Sequence, residues 1–219
     1  MKFSDTAPEP DDFILGIDEA GRGPVLGPMI LAAAYIQQKN MHQLVEIGVK
    51  DSKLLSDAQR KRLFSQVKNL VQWKIHIIRP AEIDTCPSGL NTLEMTHVAE
   101  LTKQFDPNYL IIDSPYNPDS NFNLTTFLYE HHVNMSHLHC FAENKADDLY
   151  PIVSAASIIA KEARELSMQK WRDYFNVDFG SGYPADPKTK EFLVENWADI
   201  RYNPIVRKSW ATYKRLAKG

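Results

Sequence analysis

Four acids have the residue type and the placement to share one task. Asp18 and Glu19 follow an apolar run at residues 13–17, Asp113 closes the run at 109–113, and Asp147 lies in Lys145-Ala-Asp-Asp-Leu-Tyr-Pro151. In α/β sheets, functional groups collect outside the carboxyl ends of strands. Acids ending apolar strands can therefore meet although they are far apart in sequence. Converging carboxylates cannot all stay ionised without a counter-charge. Divalent cations supply one. Mg²⁺ takes a few carboxylates and completes its shell with waters and a phosphate oxygen. Two such ions about 3.5–4 Å apart suit phosphodiester hydrolysis, activating water and stabilising the leaving oxygen. The residues leave a second reading open, because acids at strand ends also cap the next helix or face solvent. Neighbours on a strand point to opposite faces. Asp18 and Glu19 thus reach one site only if the strand stops at Ile17, and the glycines at 21 and 23 make a bend there feasible.

The elements that must hold these acids are legible in the apolar pattern. Residues 13–17 and 109–113 are nearly all apolar and read as buried strands. Residues 29–36 form a second apolar run, 73–79 alternate like a strand, and 137–142 predict another. Residues 56–71 open on a capping serine, and Leu63, Val67 and Leu70 then repeat at helical spacing. Residues 92–105 place Leu93, Thr96, His97 and Leu101 on one stripe, and 123–133 also read as a helix. A long helix is expected from Ser154, with Ile152, Ala156, Ile159, Ala163 and Leu166 on one face. A Gly/Pro-rich loop at 178–184 precedes two more amphipathic helices, 187–197 and 208–217. This order predicts one α/β domain with a helical C-terminal lobe.

Composition sets the outer limits. The chain has 219 residues, 43% of them hydrophobic and 24% charged, which excludes disorder and collagen-like fibres. The net charge of −3 excludes a uniformly basic nucleic-acid coat. That total hides a division: residues 1–160 carry 13 Lys+Arg against 20 Asp+Glu, while residues 161–219 carry 12 against 8. From Arg201 onward there are six basic residues and no acid, so the tail is expected to hold a duplex by its phosphates. Cys86 and Cys140 are far apart, which predicts no disulfide framework and a reducing, cytoplasmic setting. The first 12 residues lack an apolar signal core, and the longest uncharged run, 24–38, is shorter than the roughly 20 residues of a membrane helix. The His-rich stretch 131–139 with Cys140 matches no standard zinc spacing and reads as a surface strand. Gly21-x-Gly23 fails the dinucleotide pattern because position 26 is Leu, and neither a P-loop nor a nucleophile elbow is present. Ser154 and Ser157 read as helix-start residues.

The run Gly16-Ile-Asp-Glu-Ala-Gly-Arg-Gly-Pro24 resembles the signature of the type 2 ribonucleases H, or ribonucleases HII. Further blocks match the same family in order: Lys50-Asp-Ser-Lys-Leu54, Asp113-Ser-Pro115, and the stretch from Lys145 through Ser154-Ala-Ala-Ser157 to Lys161. Asp178-Phe-Gly-Ser-Gly-Tyr-Pro-Ala-Asp-Pro187 and Ile205-Val-Arg-Lys-Ser-Trp210 resemble its archaeal and eukaryotic branch. The resemblance implies a ribonuclease H-like fold, with a mixed sheet flanked by helices. It implies a catalytic core at 13–175 and a helical C-terminal lobe at 176–219. It implies an endoribonuclease that cuts the RNA of RNA/DNA hybrids and cuts 5′ to single ribonucleotides in duplex DNA. The products would carry a 3′-hydroxyl and a 5′-phosphate, and the cofactor would be Mg²⁺ or Mn²⁺. Asp18, Glu19, Asp113 and Asp147 would be the catalytic, metal-holding acids, with Asp147 preferred to Asp148 by its spacing to Tyr-Pro.

Telling RNA from DNA at one position requires sensing the 2′-hydroxyl. The family resemblance assigns that contact to the turn Gly21, Arg22, Gly23 and to Tyr183, whose ring would pack on the next sugar. Lys53, helped by Ser52, is a candidate phosphate contact, and Lys161 is another. Phosphate contacts of this kind carry no sequence information. The expected partners are RNA/DNA hybrid and ribonucleotide-containing duplex, with the protein acting as a monomer away from membranes. The tail lacks the Gln-led, double-aromatic motif that tethers some relatives to a sliding clamp, so the sequence does not support a clamp. The resemblance implies two accessory subunits in the eukaryotic branch and none in archaeal relatives, and the compact length favours the latter weakly. Two other readings are a related DNA nuclease, such as a junction resolvase or transposase core, and a hybrid-binding module without catalysis. The ribose-sensing block disfavours the first, and the four acids disfavour the second.

Overall fold

The computed structural model describes residues 7–49, 56–117 and 119–218. Its strands are β1 (Phe13–Ala20), β2 (Met29–Gln37), β3 (Gln72–Ile78), β4 (Tyr109–Asp113) and β5 (His139–Glu143). Its helices are α1 (Met41–Glu46), α2 (Asp57–Leu70), α3 (Pro80–Thr85), α4 (Gly89–Thr102), α5 (Leu124–Glu130), α6 (Ala146–Leu149), α7 (Pro151–Phe175), α8 (Pro187–Asn196) and α9 (Ala211–Leu216). The strands form one sheet in the order β3-β2-β1-β4-β5. β1 and β3 run antiparallel to β2, while β4 runs parallel to both β1 and β5. This mixed sheet with helices on both faces is the expected class.

Strand alternation sorts the core into two layers. Ile14 and Ala20 of β1 join Tyr109 and Ile111 of β4 on the face packed against α7 and α2. Leu15 and Ile17 join Leu110 and Ile112 on the face packed against α4 and α5. A third cluster unites Val25, Leu26 and Met168 with Phe179, Phe192, Tyr202 and Val206, so the C-terminal helices share a core with the loop after β1.

α7 packs closest to the sheet, because Gly16 has no side chain. A Cβ at that position would stand 2.7 Å from the backbone carbon and oxygen of Ile152. The helix begins at Pro151, three residues before the expected Ser154. Proline suits that first position because its missing N–H has no helical partner to lose. α2 begins as expected, with Ser56 and Gln59 forming a reciprocal capping box. α4 lies three residues earlier at each end than the 92–105 stripe suggested, and α9 starts at Ala211 because residues 208–210 are taken up in a loop bound to Asp84. The short α1 and α3 have too few turns to show a periodic stripe.

Candidate active site

β1 runs on to Ala20 beside β2, but its pairing with β4 ends at Ile17 and Ile112. The expectation that the strand must stop at Ile17 is therefore corrected. Only one edge of the strand opens there, and that gap gathers the acids. Asp18 points to the α7 face and is 5% exposed. The Glu19 main-chain N–H donates to Asp18 Oδ1 at 2.7 Å, which holds the Asp18 carboxyl group against the backbone of its neighbour. Asp113, at the end of β4, raises the pKa of both. Burial is the largest cause in each case. It drives Asp18 well above the usual carboxylate range, with Glu19 adding to the rise. It lifts Glu19 to about 7, with Glu94 adding.

Glu94 was not anticipated. It lies on α4, 2% exposed, paired with Arg22, which also donates to Asn91 Oδ1. Burial raises its pKa to about 7 against the opposing pull of Arg22. One signal stood in the sequence: Glu94 is four residues after Leu90 and four before Val98, an acid inside an apolar helical stripe.

Asp113 Oδ1 accepts the N–H of Ala146 at 3.1 Å, which brings the start of α6 to the end of β4. Asp147 is the next residue and is half-buried, while Asp148 is exposed. The Asp147 carbonyl accepts the Ser154 hydroxyl, so the first turn of α7 braces this corner. Ser157 is more than a helix-start residue. Its hydroxyl is buried without a hydrogen-bond partner of ordinary geometry among the described residues, yet it favours the charged form of Asp18.

Beside the acids, Gly21, Arg22, Gly23, Lys161 and Tyr183 line one cleft of about 400 Å³. Gly21 has φ +88°, where a side chain would be strained, and an added Cβ would also meet Pro28 O at 2.8 Å. Gly23 faces the Tyr183 ring, since an added Cβ would lie 3.5 Å from its Cε1. Tyr183 is 45% exposed. The Arg164 guanidinium, buried beneath the cleft, sits 5.5 Å from the centre of that ring. Arg60 also lines the cleft, its Nε donating to buried Glu162 at 2.6 Å. Ser52 and Lys53 lie outside the described residues. The His-rich stretch is spent on other contacts: His137 pairs with Asp106 at 3.0 Å and His139 stacks on Tyr109.

These donors suit a hard divalent cation. They are oxygens, and Asp18 and Glu19 are buried with raised pKa, which a bound cation would offset. Among the described residues no three His, Cys, Asp or Glu are drawn together tightly enough to grip an ion alone. An ion here would complete its shell with water and substrate oxygens, as an open site requires. Among the described residues no helix is long and apolar enough to cross a membrane.

Residues 15–213 match the family model for ribonuclease HII. The chain is 42% identical over 205 residues to ribonuclease HII of Pyrococcus furiosus, covering 92% of this chain and 89% of that one. The crystal structure of ribonuclease H2 from Pyrococcus horikoshii OT3 superposes with a TM-score of 0.83 at 36% identity, covering 94% of this chain and 97% of that one. A PCNA:RNase HII complex from Archaeoglobus fulgidus gives a TM-score of 0.80 at 35% identity, covering 90% and 95%.

Proposed function

The chain belongs to the ribonuclease HII family and is a ribonuclease H acting on RNA/DNA hybrids; from that premise we propose that it also cuts 5′ to a single ribonucleotide in duplex DNA. The cut would leave a 3′-hydroxyl and a 5′-phosphate, and would depend on Mg²⁺ or Mn²⁺. One observation carries this reading. Asp18, Glu19 and Asp113 interact at the opened edge of β1, directly beside a glycine turn and a tyrosine that face each other across one cleft.

Asp18, Glu19, Asp113 and Asp147 are the residues that would hold the ions, and Glu94 would restrain Glu19 and Arg22 around them. Bound divalent cations would supply charge neutralisation and activation of water. The remaining work falls to this chain. The turn at Gly21-Arg22-Gly23 lets main-chain groups approach a sugar where side chains would obstruct. Tyr183, with Arg164 under its ring, offers a flat surface for the following sugar. Lys161 lies where it can meet a phosphate. Ser52 and Lys53 stay in this proposal as phosphate contacts. The core at 13–175 carries the acids, and the lobe at 176–219 supplies Tyr183.

The A. fulgidus relative assembles with PCNA. A clamp of that kind therefore joins the candidate partners here, although the tail lacks the motif expected to tether one. The deciding experiment incubates the protein with a DNA duplex carrying one ribonucleotide. A nick on its 5′ side with Mg²⁺, and none with EDTA or on the all-DNA duplex, is the expected result. Asp113→Asn should abolish the nick while circular dichroism shows an intact fold. Equal cutting of the all-DNA duplex would defeat the proposal.

A further inference from the structure

The Gly-Arg-Gly turn is held from behind by the segment at 205–210. Val206 bridges Leu26, the Arg207 N–H donates to Val25 O at 2.9 Å, and the Gly27 N–H donates to Ile205 O at 2.6 Å. This register drives the Arg207 side chain into the fold, where it is 0% exposed. Its Nη2 donates to Gly21 O at 2.6 Å, its Nη1 to Arg22 O at 3.0 Å and its Nε to Gly27 O at 2.9 Å. Trp210 covers the guanidinium, 4.8 Å from ring centre to Cζ, and its Nε1–H donates to Gly23 O at 3.0 Å. Asp84 of α3 pins the bend between the two. It accepts the N–H of Lys208 at 2.7 Å, the N–H of Ser209 at 2.9 Å and the Ser209 hydroxyl at 2.5 Å.

A buried guanidinium is tolerated only when its donors are paired. Burial lowers this one to about 9, so it is still charged at neutral pH. Its partners are loop carbonyls, and with Trp210 it takes those of residues 21, 22 and 23 in succession. That fixes the planes of consecutive peptides. Among the described residues every peptide bond is trans, and in a trans peptide the N–H points opposite to the C=O. With the carbonyls of Gly21 and Arg22 drawn inward to Arg207, the N–H groups of Arg22 and Gly23 turn outward, towards the cleft that both residues line. Neither N–H has a main-chain acceptor among the described residues. The third peptide leads into Pro24, which has no N–H to present. Successive main-chain amides on one side of a turn form a ready cradle for an oxygen.

We propose that Arg207 and Trp210, braced by Asp84, are positioning residues for ribose recognition: they orient the Arg22 and Gly23 amides as donors to the 2′-hydroxyl. The proposal rests on the ribose-sensing role given to the turn above. It assigns specificity to residues that lie behind the turn and are absent from the lining of the cleft.

The test measures binding, so that it does not depend on cleavage. Fluorescence anisotropy in EDTA gives the affinity of the full chain for two duplexes of identical sequence, one bearing a single ribonucleotide and one all DNA. The readout is the ratio of the two affinities. Trp210→Phe keeps a ring over Arg207 but frees the Gly23 carbonyl, loosening the end of the turn beside the two presented amides. It should cut that ratio at least twofold and at most about fivefold, the upper value being the loss of one whole hydrogen bond near 1 kcal/mol. Arg207→Lys replaces a planar fork by a single point charge and should abolish the preference. Asp84→Ala, which touches neither turn nor cleft, should lower it in the same direction. Affinity for the all-DNA duplex should stay within about twofold, because phosphate contacts are untouched. A general loss of structure would weaken both duplexes alike and leave the ratio unchanged. If the wild type discriminates and Trp210→Phe discriminates equally well, this proposal alone is overturned. If the wild type binds both duplexes equally, the ribose-sensing reading falls and the proposal with it. Should Arg207→Lys fail to fold, Trp210→Phe and Asp84→Ala still decide the matter.

Discussion

Glu94 raises the pKa of Glu19, and Arg22 is a cation that both feel. Burial raises each to about 7, above the 4.5 expected in an unfolded chain. An acid with a raised folded-state pKa favours folding when protonated. Its stabilising effect is complete below the unfolded pKa and is lost as pH rises through the folded one. The metal-free protein should therefore lose stability from about pH 4.5 to about pH 7 through these two groups. Mg²⁺ that binds the folded state offsets the cost of burying these charges. In thermal melts, the upward shift in Tm on replacing EDTA by Mg²⁺ should be larger at pH 8 than at pH 5. An equal shift at both pH values would separate the ion from these acids. At this scale the sequence was partly readable. Asp18, Glu19 and Asp113 end apolar strands and were visible as a group. Glu94 sits mid-helix, and its place between Leu90 and Val98 marks it as an acid on an apolar stripe without saying which groups it meets there.

At the scale of elements, the contact that sets the site is α7 on β1. The first turn of the helix reaches Gly16 backbone to backbone, which carries Ser154 to the corner beside Asp147 and Ser157 to Asp18. Gly16→Ala places a methyl group 2.7 Å from main-chain atoms of Ile152 that cannot rotate away. Overpacking of this kind should destabilise the protein by about 1–3 kcal/mol, read as a fall in the urea midpoint with unchanged slope. Nuclease activity should fall even where the variant remains folded, because the helix and the strand carry different members of the site. A Gly16→Ala protein as stable and active as wild type would show that the helix can retreat freely. Most elements were legible because apolar residues repeat at 2 or 3.6 positions. Their ends were not. The start of α7 shifted to Pro151 and the start of α9 to Ala211, since helix ends depend on which partner takes the unpaired groups, Asp84 at Lys208 and Ser209 in the second case.

Over the whole molecule, the charge division between an acidic first part and a basic tail gains a structural qualification. Of the six basic residues from Arg201 onward, Arg201 is tied to Asp199 at 2.6 Å and Arg207 is buried under the turn. Arg201 is itself exposed, but only Lys208, Lys214, Arg215 and Lys218 are exposed with no ion pair among the described residues. The expected phosphate-holding tail thus narrows to these four. Lys214→Ala with Arg215→Ala should weaken duplex binding without changing the preference for a ribonucleotide. If both side chains contact phosphate, the slope of log K against log salt should flatten by about 0.9 for each. An unchanged slope would remove α9 from the duplex-binding surface. The sequence by itself determined the α/β class, the family, the three strand-end acids and the Gly-Arg-Gly turn, because periodicity and motif are local properties of the chain. Only the tertiary structure decided that β1 opens on one edge, that Glu94 joins the acids, and that Arg207 serves the turn from behind. Those facts depend on which strands stop pairing where, and on residues 72 to 186 positions apart meeting in space.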